Sequence, residues 1–325
     1  RGVTSSDSSE KGDPSVAYHL DGVYLARPQA VQGGFFDLER IEVLRGPQGT
    51  LYGRNATGGV VNVLSARPKA VFAASVKLGV GDHRGRLFEG MLNVPLDSTV
   101  AFRLALQRRE RESELHSSVP SAWSPGGDLD EHAWWAQLQI APAAGWRLLL
   151  AADQSRDRGR AATRVPVTQF FDLRNPLAPV YVDRGRAAQT DVGIPALFEP
   201  ARTFYQQGTR ALLVVPLAAL DGAEFTYLAA HRYLQRASDG TQPLLLPNGT
   251  ALPVRVNLPG EVSQTQHEAR LASRSGAPLQ WLVGAFVFGE DSHNQFYTYG
   301  LPQAPTPVYG WDIAHTEARS KALFR

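Results

Sequence analysis

Carboxylates and arginines alternate within one short stretch, Asp37-Leu38-Glu39-Arg40-Ile41-Glu42-Val43-Leu44-Arg45. Paired carboxylates can act as general acid and general base, so this stretch could in principle support proton-transfer catalysis. However, Arg40 and Arg45 stand directly among the carboxylates, and neighbouring opposite charges favour structural ion pairs. We therefore interpret Asp37, Glu39 and Glu42 as ion-pairing residues.

Other motifs for catalysis or metal binding are missing from the sequence. Gly79-Val80-Gly81 followed by Gly85 misses the dinucleotide-binding spacing by one residue and lies in a strand pattern. No two of the eight histidines have metal-ligand spacing, and the absence of cysteine excludes thiol catalysis, disulfides and Cys-bound zinc. The sequence predicts no enzyme activity, no cofactor and no metal site.

Composition favours a β protein with many turns. The 325 residues include 30 glycines and 22 prolines, and charged residues make up 20% with a net charge of +2. This balance gives no sign of a nucleic-acid partner. No run of about 18 apolar residues occurs, so a membrane role would require a β-barrel.

The charged stretch belongs to a longer segment, residues 37–68, that organises the chain. Two β-prone runs, Ile41–Leu44 and Val60–Leu64, flank a loop holding five glycines, 46, 49, 53, 58 and 59. So many glycines indicate tight turns or close backbone contacts. Earlier in the chain, Asp21-Gly22 between two apolar runs predicts a type I′ hairpin. We expect neighbouring strands joined by compact loops.

This segment resembles the C-terminal half of the plug domain of TonB-dependent outer-membrane receptors. Those plugs carry Asp-x-x-Arg-Ile-Glu-Val-x-Arg-Gly-Pro, a glycine-rich loop, and then Gly-Gly-Val-x-Asn-Val with a basic-Pro ending. The matching positions are Asp37, Arg40–Val43, Arg45–Pro47, Gly49, Tyr52, Gly53, Gly58–Val60, Asn62 and Val63. The hairpin around Asp21-Gly22 matches as well.

The resemblance implies roles for particular residues. Ligand contact is expected on two apical plug loops, at Arg27, Gln29, Gln32, Phe36, Tyr52, Arg54 and Asn55. Arg1 and Arg45 are expected to pair with carboxylates on the barrel wall. The implied partners are TonB, with ExbB and ExbD in the inner membrane, a ferric siderophore or similar small ligand, and outer-membrane lipid and lipopolysaccharide.

Beyond residue 70 the sequence alternates apolar with polar or small side chains. For example, Val100, Phe102, Leu104 and Leu106 interleave with Ala101, Arg103, Ala105 and Gln107. We predict roughly ten strands of about ten residues each, the length a tilted strand needs to cross a bilayer. The apolar face would contact lipid, and polar-face residues would line the lumen, namely Arg103, Gln107, Gln137, Gln139, Glu268 and Arg270.

Connector lengths alternate in the way expected of an up-and-down barrel. The short connectors are Pro95–Ser98, Ala141–Gly145, Ala218–Gly222 and Ser273–Pro278. The long ones are Ser113–His132, Arg156–Thr203 and Ala237–Ser263. Short periplasmic turns and long external loops lie at opposite ends of such a barrel.

The sequence therefore predicts a mainly β chain: part of a small α/β plug at 1–69, then part of a transmembrane antiparallel β-barrel at 70–325. Because a plugged barrel has about 22 strands, we expect an internal piece of a longer receptor. The expected function is TonB-dependent uptake of iron–siderophore complexes in the outer membrane of a Gram-negative bacterium. The alternatives are another scarce solute (cobalamin, haem or an oligosaccharide), a passive porin or surface-binding barrel, or an enzyme on a soluble sandwich.

Overall fold

Strands dominate the part of the chain that the structure describes. The computed structural model describes residues 14–27, 30, 35–116, 124, 126–142, 145–161, 169–171, 179–181, 200–245, 251–299, 307 and 309–324. Within these residues, none of the helices has the length and apolar character needed to span a bilayer.

The first sheet is small and lies inside the second; we call it the inner sheet. Its strands are β1 (Val16–Leu20), β2 (Val23–Leu25), β3 (Leu38–Arg45) and β4 (Gly59–Ser65), in the order β2-β1-β4-β3. The β1–β4 pair is parallel and the other two pairs are antiparallel. A single helical turn, α1 (Gly49–Tyr52), precedes β4.

Residues with positive φ explain the two features predicted from the sequence, the β1–β2 hairpin and the pairing of β3 with β4. Asp21 and Gly22 have φ values of 51° and 85°, as a type I′ turn requires. Gly59 has a φ of 152°, and a Cβ there would meet the carbonyl oxygen of Leu44, 2.5 Å away. Only glycine therefore lets β4 approach the end of β3 so closely. The predicted hairpin and the predicted β3–β4 neighbours are confirmed.

The second sheet, which we call the wall, is a run of antiparallel strands. Its strands are β5 (Ala73–Gly81), β6 (Gly85–Pro95), β7 (Val100–Arg111), β8 (Leu129–Ile140), β9 (Arg147–Asp157), β12 (Arg202–Leu217), β13 (Ala223–Leu245), β14 (Ala251–Asn257), β15 (Gly260–Ala272), β16 (Leu282–Tyr299) and β17 (Tyr309–Phe324). A separate hairpin joins β10 (Gln169–Phe171) to β11 (Pro179–Tyr181). All of these wall strands except β14 are long, which leaves ten long strands. They confirm the predicted mainly β architecture and the predicted strand number.

The two faces of the wall differ in polarity. On the inner face, which meets the inner sheet, Asn93, Gln137 and Gln266 are at most 2% exposed. On the outer face, Val76 and Leu106 are 70% and 42% exposed. A soluble sandwich would bury these apolar side chains against a second sheet, so the structure contradicts that alternative.

Connections at the two ends of the wall differ as predicted, with one correction. The segment Ala237–Ser263 was predicted to be a long loop, but β13 continues to Leu245 and pairs with β14. The prediction was wrong because Gly, Pro and Asp in this segment suggested turns. These residues lie in strands because β14 forms a ladder with the end of β13 and also pairs with the end of β16.

Candidate functional site

The interface between the inner sheet and the inner face of the wall is the candidate site, and its described residues form four small apolar patches. In the first, Tyr24 packs edge-on against Phe288 of β16, with ring centroids 5.6 Å apart. In the second, Phe36 packs against Trp135 of β8 at 5.9 Å. Both Tyr24 and Phe36 are at most 5% exposed. The other two place Val23 against Leu228 of β13 and Ala30 against Leu234 of β13, and polar contacts lie between the four patches.

The side chains of two wall glutamines form hydrogen bonds with the backbone of β2, in the positions where a neighbouring strand would bond. Strand β2 forms one edge of the inner sheet, so its outward N–H and C=O groups have no strand partner there. The N–H groups of Tyr24 and Ala26 donate to Oε1 of Gln266 and Gln264 at 2.9 and 3.0 Å. In return, Nε2 of Gln264 and of Gln266 donates to the carbonyls of Tyr24 and Gly22 at 2.5 and 3.2 Å. The edge of the inner sheet is thus hydrogen-bonded by side chains.

A buried ion pair joins the first hairpin to the wall. Nη1 of Arg210 on β12 lies 2.8 Å from Oδ2 of Asp21, and the two side chains are 8% and 6% exposed. The Ser65 backbone N–H and hydroxyl also donate to the Asp21 carboxylate, at 2.9 and 2.7 Å. Charge-assisted hydrogen bonds of this kind are the strongest polar contacts available in a protein interior. Asp21 therefore fixes both the hairpin and its seat on the wall.

Two further buried pairs have the same character. Arg103 of β7 contacts both carboxylate oxygens of Asp37, with Nε 2.8 Å from Oδ2. Arg27 pairs with Glu290 of β16, and these side chains are 9% and 4% exposed. Three ion pairs therefore link the inner sheet or its loops to β7, β12 and β16, which are well separated around the wall.

The wall has an internal ion pair beside this interface. Nη1 and Nη2 of Arg232 on β13 lie 2.9 Å from the two carboxylate oxygens of Asp153 on β9, across β12. The bridge passes over Gly208, where a Cβ would collide with the Arg232 guanidinium. The two neighbouring arginines thus have separate partners, Arg232 with Asp153 and Arg210 with Asp21.

The structure places the predicted ion-pairing residues in different settings. Arg40 pairs with Glu39 and Glu42 at the surface, whereas Asp37 pairs with the wall instead. Arg45 is exposed and has no ion pair with any described residue, so its pairing with the wall stays a prediction. Arg1 lies outside the described residues.

The predicted ligand residues do not all lie together. Asn55 donates to the Tyr24 hydroxyl at 2.7 Å, and the Arg54 guanidinium lies 5.4 Å from the Phe288 ring centroid. Tyr52 packs beside them, against the same cluster. Arg27 and Phe36 lie elsewhere, buried against the wall. Gln29 and Gln32 are outside the described residues, and the role of this set stays a prediction.

Sequence patterns identified some wall residues in this interface and missed others. Arg103 and Gln137 were predicted on the polar strand face, and Gln137 donates to Ser65 Oγ and to the Ala66 carbonyl at 3.1 and 3.0 Å. Arg210, Gln264 and Gln266 were not singled out. The spacing of Gln264 and Gln266 was the available signal, because residues two apart share one strand face.

A buried histidine within the inner sheet gives the site a pH dependence. His19 of β1 packs 5.2 Å from the Tyr52 ring centroid and 5.6 Å from that of Tyr24. Burial lowers the pKa of His19 from 6.5 to about 4, although a hydrogen bond with the backbone of Gly22 opposes this effect and nearby Arg270 adds to it. His19 is therefore neutral in the folded sheet at neutral pH.

We expect the inner sheet to lose stability as the pH falls from 6.5 to 4. The unfolded state binds a proton at His19 first in this window, so the contribution of neutral His19 is complete above pH 6.5 and lost by about pH 4. The difference between the two pKa values corresponds to about 3 kcal/mol. Calorimetry of wild type and His19→Phe across this range measures the effect. A parallel pH dependence in the two proteins would contradict it.

Comparisons with known proteins agree with this architecture. Residues 1–60 match the family model of the TonB-dependent receptor plug domain. The pesticin receptor of Yersinia pestis is 36% identical over 165 residues, which are 50% of this chain and 23% of that receptor. The ferrioxamine B receptor of Salmonella typhimurium is 41% identical over 82 residues, covering 24% of this chain and 11% of that receptor.

Two solved structures share the fold. The ferripyoverdine receptor of the Pseudomonas aeruginosa outer membrane has a TM-score of 0.71 at 16% identity, covering 96% of this chain and 43% of that one. The ferric yersiniabactin uptake receptor of Yersinia pestis has a TM-score of 0.70 at 17% identity, covering 96% and 51%. The chain thus spans about half the length of these receptors or less. A match of residues 1–60 to the plug model and a wall of antiparallel strands around the inner sheet make the chain similar to part of a TonB-dependent receptor of the bacterial outer membrane.

Proposed function

We propose that this receptor takes up a ferric siderophore across the outer membrane, with energy delivered through TonB and its inner-membrane partners ExbB and ExbD. The names of its relatives support the cargo class, since they include receptors for ferrioxamine B, ferripyoverdine and ferric yersiniabactin. The observation that carries the proposal is the polar seat of the plug: three buried ion pairs and two glutamines hold it to the wall.

A polar seat suits a plug that must move and return. Separating a large apolar interface costs free energy in proportion to the area exposed to water. Charged and amide groups, in contrast, regain hydrogen bonds to water when they separate, which offsets much of the lost interaction. A pull on the plug can therefore break the contacts of Asp21, Arg27 and Asp37 one after another and open a path beside the wall. The same contacts guide the plug back into register.

We further propose that the predicted plug residues contact the ligand. Arg54 and Asn55 can donate hydrogen bonds to the anionic or carbonyl oxygens of a chelate, and the Tyr52 ring can cover an apolar part of it. The clustering of these three residues around Tyr24 supports this role. Arg27, Gln29, Gln32 and Phe36 complete the proposed set on the other apical loop.

We propose residues 1–69 as plug and 70–325 as barrel. The side chain of Asn93 on β6 supports this boundary, because its Oδ1 accepts from the Lys69 N–H at 3.0 Å and its Nδ2 donates to the carbonyls of Lys69 and Val71 at 2.8 and 2.7 Å. Asn93 is fully buried. The chain would therefore be anchored to the wall where plug becomes barrel, two residues before β5 begins at Ala73.

An uptake assay tests the proposed function. Cells that express the full-length receptor in a background lacking other siderophore receptors are given iron-55 bound to hydroxamate, catecholate or phenolate siderophores. We expect saturable uptake of one class, and we expect it to vanish when TonB is deleted, because the plug then stays seated.

Cobalamin, haem and an oligosaccharide serve as alternative cargoes in the same assay. Uptake of one of these in place of any ferric siderophore would overturn the cargo class but keep the energy coupling. Uptake that continues unchanged without TonB would indicate a passive porin and overturn the proposal.

A further inference from the structure

A cluster of metal-ligating side chains lies on the outer face of the wall, on the opposite side from the plug. Strand pairing places Asp291 of β16 opposite Glu317 of β17, and His293 opposite His315. One ligand atom from each of Asp291, His315 and Glu317 lies within 4.8 Å of the others. These residues are exposed on the outer face, so a metal ion can reach them without moving the plug.

A β-bulge shapes the surroundings of this cluster. The β16–β17 register shifts between Asn294 and Gln295, so that Gln295 pairs with Asp312 and Ile313 is left over. In an unbroken ladder Ile313 would occupy the position opposite Gln295. The bulge therefore presents a carboxylate to His293 in place of an isoleucine, and bulges commonly re-aim side chains in this way.

The second histidine is fixed by carboxylates beside the cluster. Nε2 of His293 lies 3.1 Å from Oδ1 of Asp312, and its Nδ1 lies 4.0 Å from Oε1 of Glu261 on β15. The ring centroids of His293 and His315 are 5.7 Å apart. Carboxylate partners that orient imidazoles are a regular feature around protein metal sites.

The position of the cluster along the strands leaves it accessible. Towards the short-turn end, the outer face of the same strands is apolar, with Val283, Val287 and Leu323 exposed. The cluster lies further along, towards the long-connection end. Beyond an apolar belt of this kind the outer face of a barrel meets head groups and water, where a dissolved cation can enter.

The donor set indicates the class of metal. One imidazole nitrogen and two carboxylate oxygens are donors that Zn²⁺ and other divalent transition metals accept, whereas calcium and magnesium favour oxygen ligands alone. We propose that Asp291, His315 and Glu317 bind a divalent transition metal, best fitted by Zn²⁺, which links β16 to β17. Binding requires Glu317 to leave Arg319, whose Nη2 now lies 3.6 Å from Oε2.

Distance along the sequence explains why no metal site was predicted there. Asp291 and His315 lie on different strands and have none of the spacings that mark a local metal motif. Only the antiparallel β16–β17 register brings them to 3.4 Å, measured from His315 Nε2 to Asp291 Oδ2. The site would be separate from the cargo path, because the wall stands between the two.

Zn²⁺ titration of the full-length receptor tests the proposal. The protein, purified in detergent, freed of metal with EDTA and kept without siderophore, is titrated with zinc chloride in a calorimeter. We expect one high-affinity ion per chain that is lost in His315→Ala and weakened at least about tenfold in Glu317→Gln.

His267→Ala provides the matched control. His267 is also exposed on the outer face, but its Nδ1 contacts the Tyr227 hydroxyl at 2.9 Å, and it lies outside the cluster. Zn²⁺ binding in this variant should equal that of wild type. The absence of stoichiometric binding in wild type, or equal binding in His315→Ala and Glu317→Gln, would overturn the proposal. The conservative Glu317→Gln keeps the test decisive if His315→Ala fails to fold.

Discussion

Asp21→Asn is expected to weaken the seating of the plug by about 3–5 kcal/mol, because it leaves the Arg210 guanidinium buried without its counter-ion. Asparagine has the same shape and tolerates the positive φ of 51° at this turn, so the loss of charge is the main change. Denaturant unfolding of the plug, followed by hydrogen exchange in β1 and β2, measures the loss. The double variant Asp21→Asn with Arg210→Met should recover most of it, since the unpaired buried cation is then removed.

Asp221→Asn is the matched control for this experiment. Asp221-Gly222 is also an Asp-Gly turn, with φ values of 52° and 74°. Its partner Arg274 lies 3.0 Å away, but the two side chains are 78% and 51% exposed. An exposed pair contributes at most about 1 kcal/mol. Equal losses in Asp21→Asn and Asp221→Asn would show that turn geometry, and not the buried charge, decides the effect.

Replacing Gln264 and Gln266 together with leucine is expected to release the β2 edge of the plug. Four backbone groups of residues 22–26 would lose their partners, at about 1 kcal/mol each, or about 4 kcal/mol in all. Amide exchange at Tyr24 and Ala26 should accelerate by at least about tenfold. Exchange mass spectrometry with fragmentation resolves these amides.

Thr265→Leu controls for the apolar replacement itself. Thr265 lies between the two glutamines but on the outer face, where its hydroxyl contacts His231 at 3.2 Å. The rate of amide hydrogen exchange at Tyr24 and Ala26 should not change in this variant. If the double leucine variant also leaves Tyr24 and Ala26 protected, then the glutamines do not hold the edge strand and the seat depends on the ion pairs.

These two experiments bear on the transport proposal in different ways. The ion pair of Asp21 is a point contact that one displacement can break, whereas the glutamine ladder runs along β2 and resists sliding along the wall. A plug loosened at either place should need less pulling to leave its seat. Uptake in cells with limiting TonB, compared among these five variants, would relate seating strength to transport.

Some of the fold was predictable because it depends on neighbouring residues alone. Asp21-Gly22 determines a hairpin since both positions need positive φ, and period-two alternation determines strands with one apolar face. The contrast between short and long connectors could also be predicted, because it depends only on where each strand pattern starts and stops. The prediction for segment 237–263 was wrong because its Gly and Pro residues were interpreted as loop residues. In the structure these residues lie in the β13–β14 hairpin.

The sequence by itself determined which segments become strands, which face of each is apolar, and that residues 37–68 follow the plug pattern. The tertiary structure decided which partners meet: Asp21 with Arg210 across 189 residues, Asp37 with Arg103 across 66, and Asp291 with His315 through a bulged register. Such pairings depend on how every intervening strand is registered. A slip of one residue moves a side chain to the other face, so no local pattern encodes them.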